Sequence, residues 1–269
     1  MRKLLLLALL LPIMALSQEF SGTATYSSLT KLDIEFDSTR FTPDQIRNMK
    51  QMMQSQLNKE YTLKFNLTES MFEEVEVLET GQGGRGMGFM TMMAGGAGSK
   101  VYKNLAEKQQ AEQVEFFGKI FLIGDSLTLA DWKLGKETKQ IGSYTCYKAT
   151  TTREVITRKM STEAESVVDT LAIEVTAWYT PQIPMSHGPD IYWGLPGLIM
   201  EVSTDKTTIL CTRMELKQEK MAIEKPTKGE AVTRDQYTEM MEAKLVEMEK
   251  MRGGQGGGGR GSMEIRLTR

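Results

Sequence analysis

Alternation of apolar and polar residues is the dominant pattern along this chain. Leu32, Ile34 and Phe36 alternate with Asp33 and Glu35 near the end of the run 19–36. Tyr61, Leu63, Phe65 and Leu67 share one side of the run 61–68. A two-residue period places such residues on one face of a half-buried strand. Further strands are expected at Met71–Leu78, Lys100–Leu105, Glu112–Ile123, Tyr144–Ala149, Leu198–Val202 and Thr208–Leu216. Another is expected at Leu171–Tyr179, where Leu171, Ile173, Val175 and Ala177 face one way. Lys100–Leu105 and Glu112–Ile123 read as a hairpin-like pair. Gly124-Asp125 and Asp205-Lys206 read as turns, and 132–142 as a polar turn segment with two apolar anchors.

A helical period interrupts this alternation twice. Thr42-Pro43-Asp44-Gln45 offers a capping box with proline at the first helical position. Ile46, Met49, Met53 and Leu57 then recur on one face, so a helix is expected over 43–58, with Met52 beside that stripe. Residues 235–251 have helical propensity, and Met241, Leu245 and Met248 can share a face. The expected fold is mainly β, a curved antiparallel sheet or partly open barrel with an early helix and a C-terminal helix. Strand after strand with short gaps favours that over alternating α/β units.

Two glycine-rich runs fall outside both periods. Residues 81–98 hold eight glycines with Met87, Met90, Met92 and Met93, and 253–263 repeat the composition. Neither has the G-x-x-x-x-G-K-[ST] spacing of a phosphate loop. The first is expected to be a flexible insertion and residues 252–269 a glycine-rich tail after a helical extension at 226–251.

The N-terminus points to export. Arg2 and Lys3 precede an apolar run to Leu16, and Ala15-Leu16-Ser17 suits signal-peptidase cleavage, making 1–17 the signal peptide. The run is short for a membrane span. No second run is long and apolar enough for one, so no integral span is expected after cleavage. The expected location is periplasmic or extracellular, with outer-membrane association open. Cleavage removes Arg2 and Lys3 and so takes the formal charge from −2 to −4. No basic stripe accompanies the aromatics, which argues against a nucleic-acid partner.

One stretch concentrates the candidate chemistry. Trp178–Glu201 contains the only histidine, two of three tryptophans, four of seven prolines and three glycines. That punctuation excludes a helix or an uninterrupted central strand. His187 could bind a metal or carry a proton, with Asp190, Cys146 and Cys211 as companions if folding gathers them; a local hydrogen-bond role is the plainer reading. No compact C-x-x-C or H-x-x-x-H ligand group is present. Ser186 beside His187 does not make a nucleophile–base pair, and no G-x-S-x-G elbow occurs. No catalytic residue is assigned. A Cys146–Cys211 disulfide would close a loop around the whole stretch, at roughly 4 kcal/mol of loop entropy; two separate buried thiols are the alternative. Met87, Met90, Met92 and Met93 could hold copper(I) through their thioethers, although methionine also packs adaptably.

The hexapeptide Gly194-Leu-Pro-Gly-Leu-Ile199 gives the stretch a family likeness. With Ala177-Trp-Tyr-Thr180, Ile183-Pro184, Gly188-Pro189, and upstream Trp132 and Gly142-Ser-Tyr-Thr-Cys-Tyr-Lys-Ala149, it resembles the GLPGLI family of exported Bacteroidota proteins. The likeness covers residues 19 to about 225, and the domain is accordingly expected at 18–225. It implies export and a β-rich body but no reaction. Trp178, Tyr179, Pro184, His187, Pro189, Tyr192, Trp193, Gly194, Leu195, Pro196, Gly197, Leu198 and Ile199 are therefore expected to serve packing or recognition. Pro196 would restrict the bend, Gly194 and Gly197 would allow positive φ, and Leu195, Leu198 and Ile199 would anchor it. The functional expectation is a non-enzymatic envelope protein that binds or scaffolds a protein, peptide or envelope component. Copper handling and a hydrolase with an unfamiliar site are the alternatives.

Overall fold

Two runs of strands meet in one large sheet. A computed structural model describes residues 20–31, 41–75, 99–160, 167–253 and 263–268. The first run comprises β1 (Ser21–Thr30), β2 (Lys59–Phe65), β3 (Glu69–Glu74), β4 (Lys100–Asn104), β5 (Gln109–Phe116) and β6 (Lys119–Ser126). The second comprises β7 (Lys133–Ile141), β8 (Tyr144–Met160), β9 (Val167–Thr180), β10 (Leu198–Ser203) and β11 (Thr207–Lys217). Within each run neighbours in sequence pair antiparallel, and β1 pairs with β11 to join the two. β12 (Glu230–Val232) adds parallel to β6, and β13 (Met263–Thr268) adds antiparallel to the far end of β8. The protein is thus mainly β, with α1 (Pro43–Leu57) early and α2 (Arg234–Gly253) near the C-terminus. No helix among the described residues is long and apolar enough to cross a membrane.

The main apolar cluster draws Tyr26 from β1, Leu63 and Phe65 from β2, Phe72 from β3, Val101 from β4, Cys146 from β8 and Cys211 from β11. Strands are spaced about 4.8 Å apart, so β3 and β8 would be far apart in a flat sheet. They share a cluster because the sheet bends around it and the β9–β10 connection supplies Ile183 and Met185. The opposite face of β8–β10 is covered separately by Ala149, Val175, Ala177, Tyr179, Leu195, Ile199 and Val202. Helix α2 sets Tyr237, Met240 and Met241 against Phe116, Phe121 and Ile123.

After β11 the chain crosses the sheet. Ser21 Oγ donates to the Glu219 carbonyl, Asn66 Nδ2 donates to the Met221 carbonyl, and Ile223 packs on Met71 and Tyr102. This belt carries the chain from β11 to the opposite edge at β6.

The expected helix at 43–58 is present, and Thr42 and Gln45 form the capping box. Three local expectations require correction. Glu112–Ile123 is a hairpin, not one strand: Phe117 and Gly118 both have positive φ, as a tight two-residue turn of the right hand requires. Gly124-Asp125 lies inside β6, paired with Ala111 and Gln110. Residues 132–142 are not a turn segment, because Lys133–Ile141 is a strand carrying a bulge between Leu134 and Thr138. The tail at 252–269 also contains β13. Leu67 is 53% exposed because the strand ends at Phe65 and Asn66 starts the turn. The strand pattern at 32–36 and the insertion at 81–98, including Met87, Met90, Met92 and Met93, lie outside the described residues.

Candidate functional site

The connection between β9 and β10 is a folded strap. Leu198 N–H donates to the Ile183 carbonyl and Ile199 N–H to the His187 carbonyl, closing its two ends. Inside, Gly194 N–H donates to Ser186 and Tyr192 N–H to Pro189. Asp190 at φ 51 and Gly194 at φ 92 provide the reversals. Ile183, Met185, His187, Leu195, Leu198 and Ile199 are buried. Pro184 and Pro196 lie at the surface, Pro189 is buried, and Trp193 is half-buried.

Gly197 is fixed by a close approach. Its φ is +151, and a Cβ there would meet the Thr180 carbonyl oxygen at 2.2 Å. At Gly194 the added atom would instead meet the end of the Leu129 side chain. Both glycines of the hexapeptide lie at positive φ, and Leu195, Leu198 and Ile199 beside them are buried.

A lysine holds the strap to the sheet. Lys103, on β4, is fully buried and donates from Nζ to the carbonyls of Gly188 (2.8 Å), Asp190 (2.5 Å) and Tyr192 (3.1 Å). Burial pushes its pKa down to about 7, and the nearby Asp190 charge opposes this. Three acceptors surround Nζ. Only the ammonium has three N–H donors; a neutral amine would turn its lone pair towards a carbonyl. We therefore assign Lys103 as charged.

His187 lies beside it. Its Nε2 is 3.0 Å from the Asn66 carbonyl oxygen, which can only accept, so Nε2 carries the proton. Burial, and then the Lys103 charge, push its pKa down to about 3; the bond to Asn66 opposes them. His187 is therefore neutral at ordinary pH. Its Nδ1 is buried without a hydrogen-bond partner among the described residues, as is Ser70 Oγ, whose residue is paired with Lys103 across β3 and β4. Asn66 also accepts N–H bonds from Thr68 and Glu69 through Oδ1. These residues form an internal clamp on the strap.

Aromatic residues complete the fastening. Trp132 Nε1 donates to the Trp193 carbonyl at 2.9 Å, and its ring lies 6.4 Å from that of Tyr192. Tyr26 Oη donates to the Ile199 carbonyl at 2.6 Å. Trp178 lies under the Lys139 ammonium, which also pairs with Glu201. Tyr179 is buried on the opposite face.

Cys146 and Cys211, open in sequence between a disulfide and two separate thiols, are both buried free thiols in this structure. They belong to the same cluster but lie on β8 and β11, with β9 and β10 between them in the sheet. Each sulfur faces a backbone carbonyl, of Tyr144 and Arg213 respectively. Burial pushes Cys146 up to about 11 and Cys211 up to about 12. Neither thiol joins His187 or Asp190 in a ligand set; among the described residues no group of three or more His, Cys, Asp or Glu could hold a metal.

The clamp residues Lys103, Ser70 and Asn66 were not identified from sequence. A signal existed for Lys103: it follows Val101 by two residues in a strand, so it must share the inward face.

The open candidate lies at the other end of β9. Strand β10 pairs with β9 only from Leu198↔Thr180 to Ser203↔Thr176. Beyond it, β9 continues alongside β8. Among the described residues, no strand pairs with the other edge of 169–175. A groove of about 440 Å³ there is lined by residues of 171–176 and by Ser203, Thr204 and Asp205.

Residues 132–201 match the model of a family described as a protein of unknown function, Porph_ging. The matched segment runs from Trp132 through the strap and hexapeptide, and it supports a distant relationship to a Bacteroidota-associated family. No curated protein matches significantly. Among solved structures, PNGF-II in two crystal forms is similar at TM-scores of 0.48 and 0.49 and 12% identity. Those alignments cover 82% of this chain but only 32% and 33% of the solved chains, so the chain spans about a third of their length.

Proposed function

We propose that this is an exported, non-enzymatic envelope protein of the GLPGLI kind that binds a protein or peptide through an open strand edge. The edge of β9 at 171–175, with which no strand pairs among the described residues and which borders the groove, is the observation that carries this reading. An exposed strand edge presents backbone donors and acceptors that an extended partner can satisfy. Three further observations support the proposal. The first 17 residues have the pattern of a signal peptide. The hexapeptide and its flanks have the GLPGLI pattern. His187, Ser70, Cys146 and Cys211 are buried in the core, where they serve packing.

The test places a photo-crosslinking amino acid at Leu171, in the groove, within the intact source cell. Phe117, exposed on the β5–β6 turn, provides the control position. The expected result is a discrete adduct in the envelope fraction from position 171 that position 117 does not give. Identical adducts from both positions, or none from 171, would refute edge binding. Retention of the full-length chain in the cytoplasm would refute export.

A further inference from the structure

We propose that residues 187–193 form an acid-released flap: protonation of His187 beside the Lys103 ammonium drives this loop off the sheet while the rest of the strap and the strands stay in place.

The flap is a separable piece of the strap. Gly194 N–H donates to the Ser186 carbonyl across its base, and Tyr192 N–H donates to Pro189 within it. It lies outside the strand ladder, because β9 ends at Thr180 and β10 starts at Leu198. The strap's buried apolar anchors flank it: Ile183 and Met185 before, Leu195, Leu198 and Ile199 after. Of the flap's own side chains, His187 and Pro189 are buried, while Asp190, Ile191, Tyr192 and Trp193 are half-buried.

Polar contacts therefore hold the flap down. Lys103 Nζ donates to the carbonyls of Gly188, Asp190 and Tyr192, and His187 Nε2 donates to that of Asn66. Trp132 Nε1 donates to the Trp193 carbonyl, and Arg153 bonds the Tyr192 side chain. Lys103 and His187 share one buried site, and that site is built for one positive charge. A second charge, on His187, would stand beside the first away from water. Its new Nδ1–H would find no acceptor among the described residues. Lys103 is the charge that acts on His187 from β4. Asp190, in the flap, acts on Lys103, Tyr61 and Tyr192. Asn66 and Ser70 are uncharged, and Glu69 points to the opposite face of β3, where Tyr102 donates to it.

The direction with pH follows. In the closed flap His187 stays neutral down to about pH 3, whereas a released histidine titrates near 6.5. The open form takes up the proton first, so closure is at full strength above about pH 6.5 and weakens as pH falls towards 3, roughly tenfold per pH unit. Lys103 is charged in both forms across that window and adds no slope.

The test is native amide exchange of the full mature chain between pH 7 and 5, corrected for intrinsic rates, with and without dilute urea. Tyr192 and Gly194 should exchange through an opening that grows roughly tenfold per pH unit below 6.5 and is insensitive to urea, because little surface is exposed. Amides of β1, between β2 and β11, should need a rarer, urea-dependent opening. His187→Gln keeps an N–H for Asn66 but cannot titrate, and should abolish the pH slope of the flap. One common opening and urea dependence for flap and β1 would overturn the proposal, as would a slope that survives His187→Gln. A readout free of any variant is the ring signal of His187, the only histidine. It should remain in the neutral Nε2–H form at pH 5; titration near 6.5 with Tyr192 and Gly194 still protected would also overturn the flap.

Discussion

Replacing Lys103 with methionine removes a buried charge with little change in side-chain length. It leaves the carbonyls of Gly188, Asp190 and Tyr192 without their donor. Hydrogen bonds to a charged group contribute about 1.5–3 kcal/mol each, so three sum to about 5–9 kcal/mol. Against this, the folded protein no longer has to strip water from an ammonium, a cost of several kcal/mol. The net expectation is a loss of about 3–5 kcal/mol, the range found when one member of a buried charged network is removed. Urea unfolding followed by tryptophan fluorescence measures it, and an unchanged slope would show that the surface exposed on unfolding is the same. Amide exchange gives the local signature: Tyr192 and Gly194 should lose protection first, because their bonds lie within the clamped part of the strap. A variant within about 1 kcal/mol of the parent, with the strap still protected, would refute the ammonium clamp.

The other predictions use the same neighbourhood. Gly197→Ala should cost about 3 kcal/mol or more, because the new methyl meets backbone, and more than Gly194→Ala, where it meets a movable leucine tip; equal costs in denaturant melts would refute the distinction. His187 is held neutral well below its usual range, so the unfolded chain takes up its proton first on acidification. Its contribution is intact above about pH 6.5 and is lost as pH falls towards 3, at about 1.4 kcal/mol per pH unit. From pH 6.5 to 5 that is about 2 kcal/mol, and His187→Gln should remove this slope from a stability–pH series even if it lowers stability overall. Cys146 and Cys211 should react with a disulfide reagent at pH 8 only as the protein unfolds; rapid labelling of either thiol in the native protein would contradict their burial.

Periodicity revealed the elements whose neighbours are close in sequence. The helix at 43–57 was legible because its capping box, first-turn proline and apolar stripe agree. The Asp205-Lys206 turn was legible because two apolar runs flank it. The β5–β6 hairpin was missed because Phe117 continues the apolar run and only Gly118 marks the turn. β7 was missed because an edge strand rich in lysine buries little on either face. The strap could be located from its prolines, glycines and hexapeptide, but its fastening could not. Lys103 lies 85 residues from Gly188 in sequence, and only the folded sheet brings them together. The β9 edge was equally hidden, since the alternation of Leu171 and Ile173 predicts a strand without showing where its neighbour stops.

Both ends of the described sheet are finished by late parts of the chain. β12 lies along β6, and β13 lies along the distal half of β8. The seam between the two runs of strands likewise waits for β11, which must reach back to β1. A polypeptide appearing from its N-terminus would therefore present a six-stranded fragment with bare margins until most of its length had emerged. A nascent fragment that paused at that stage would be exposed to pairing with its neighbours. The two runs of strands can join only once β11 is available to pair with β1.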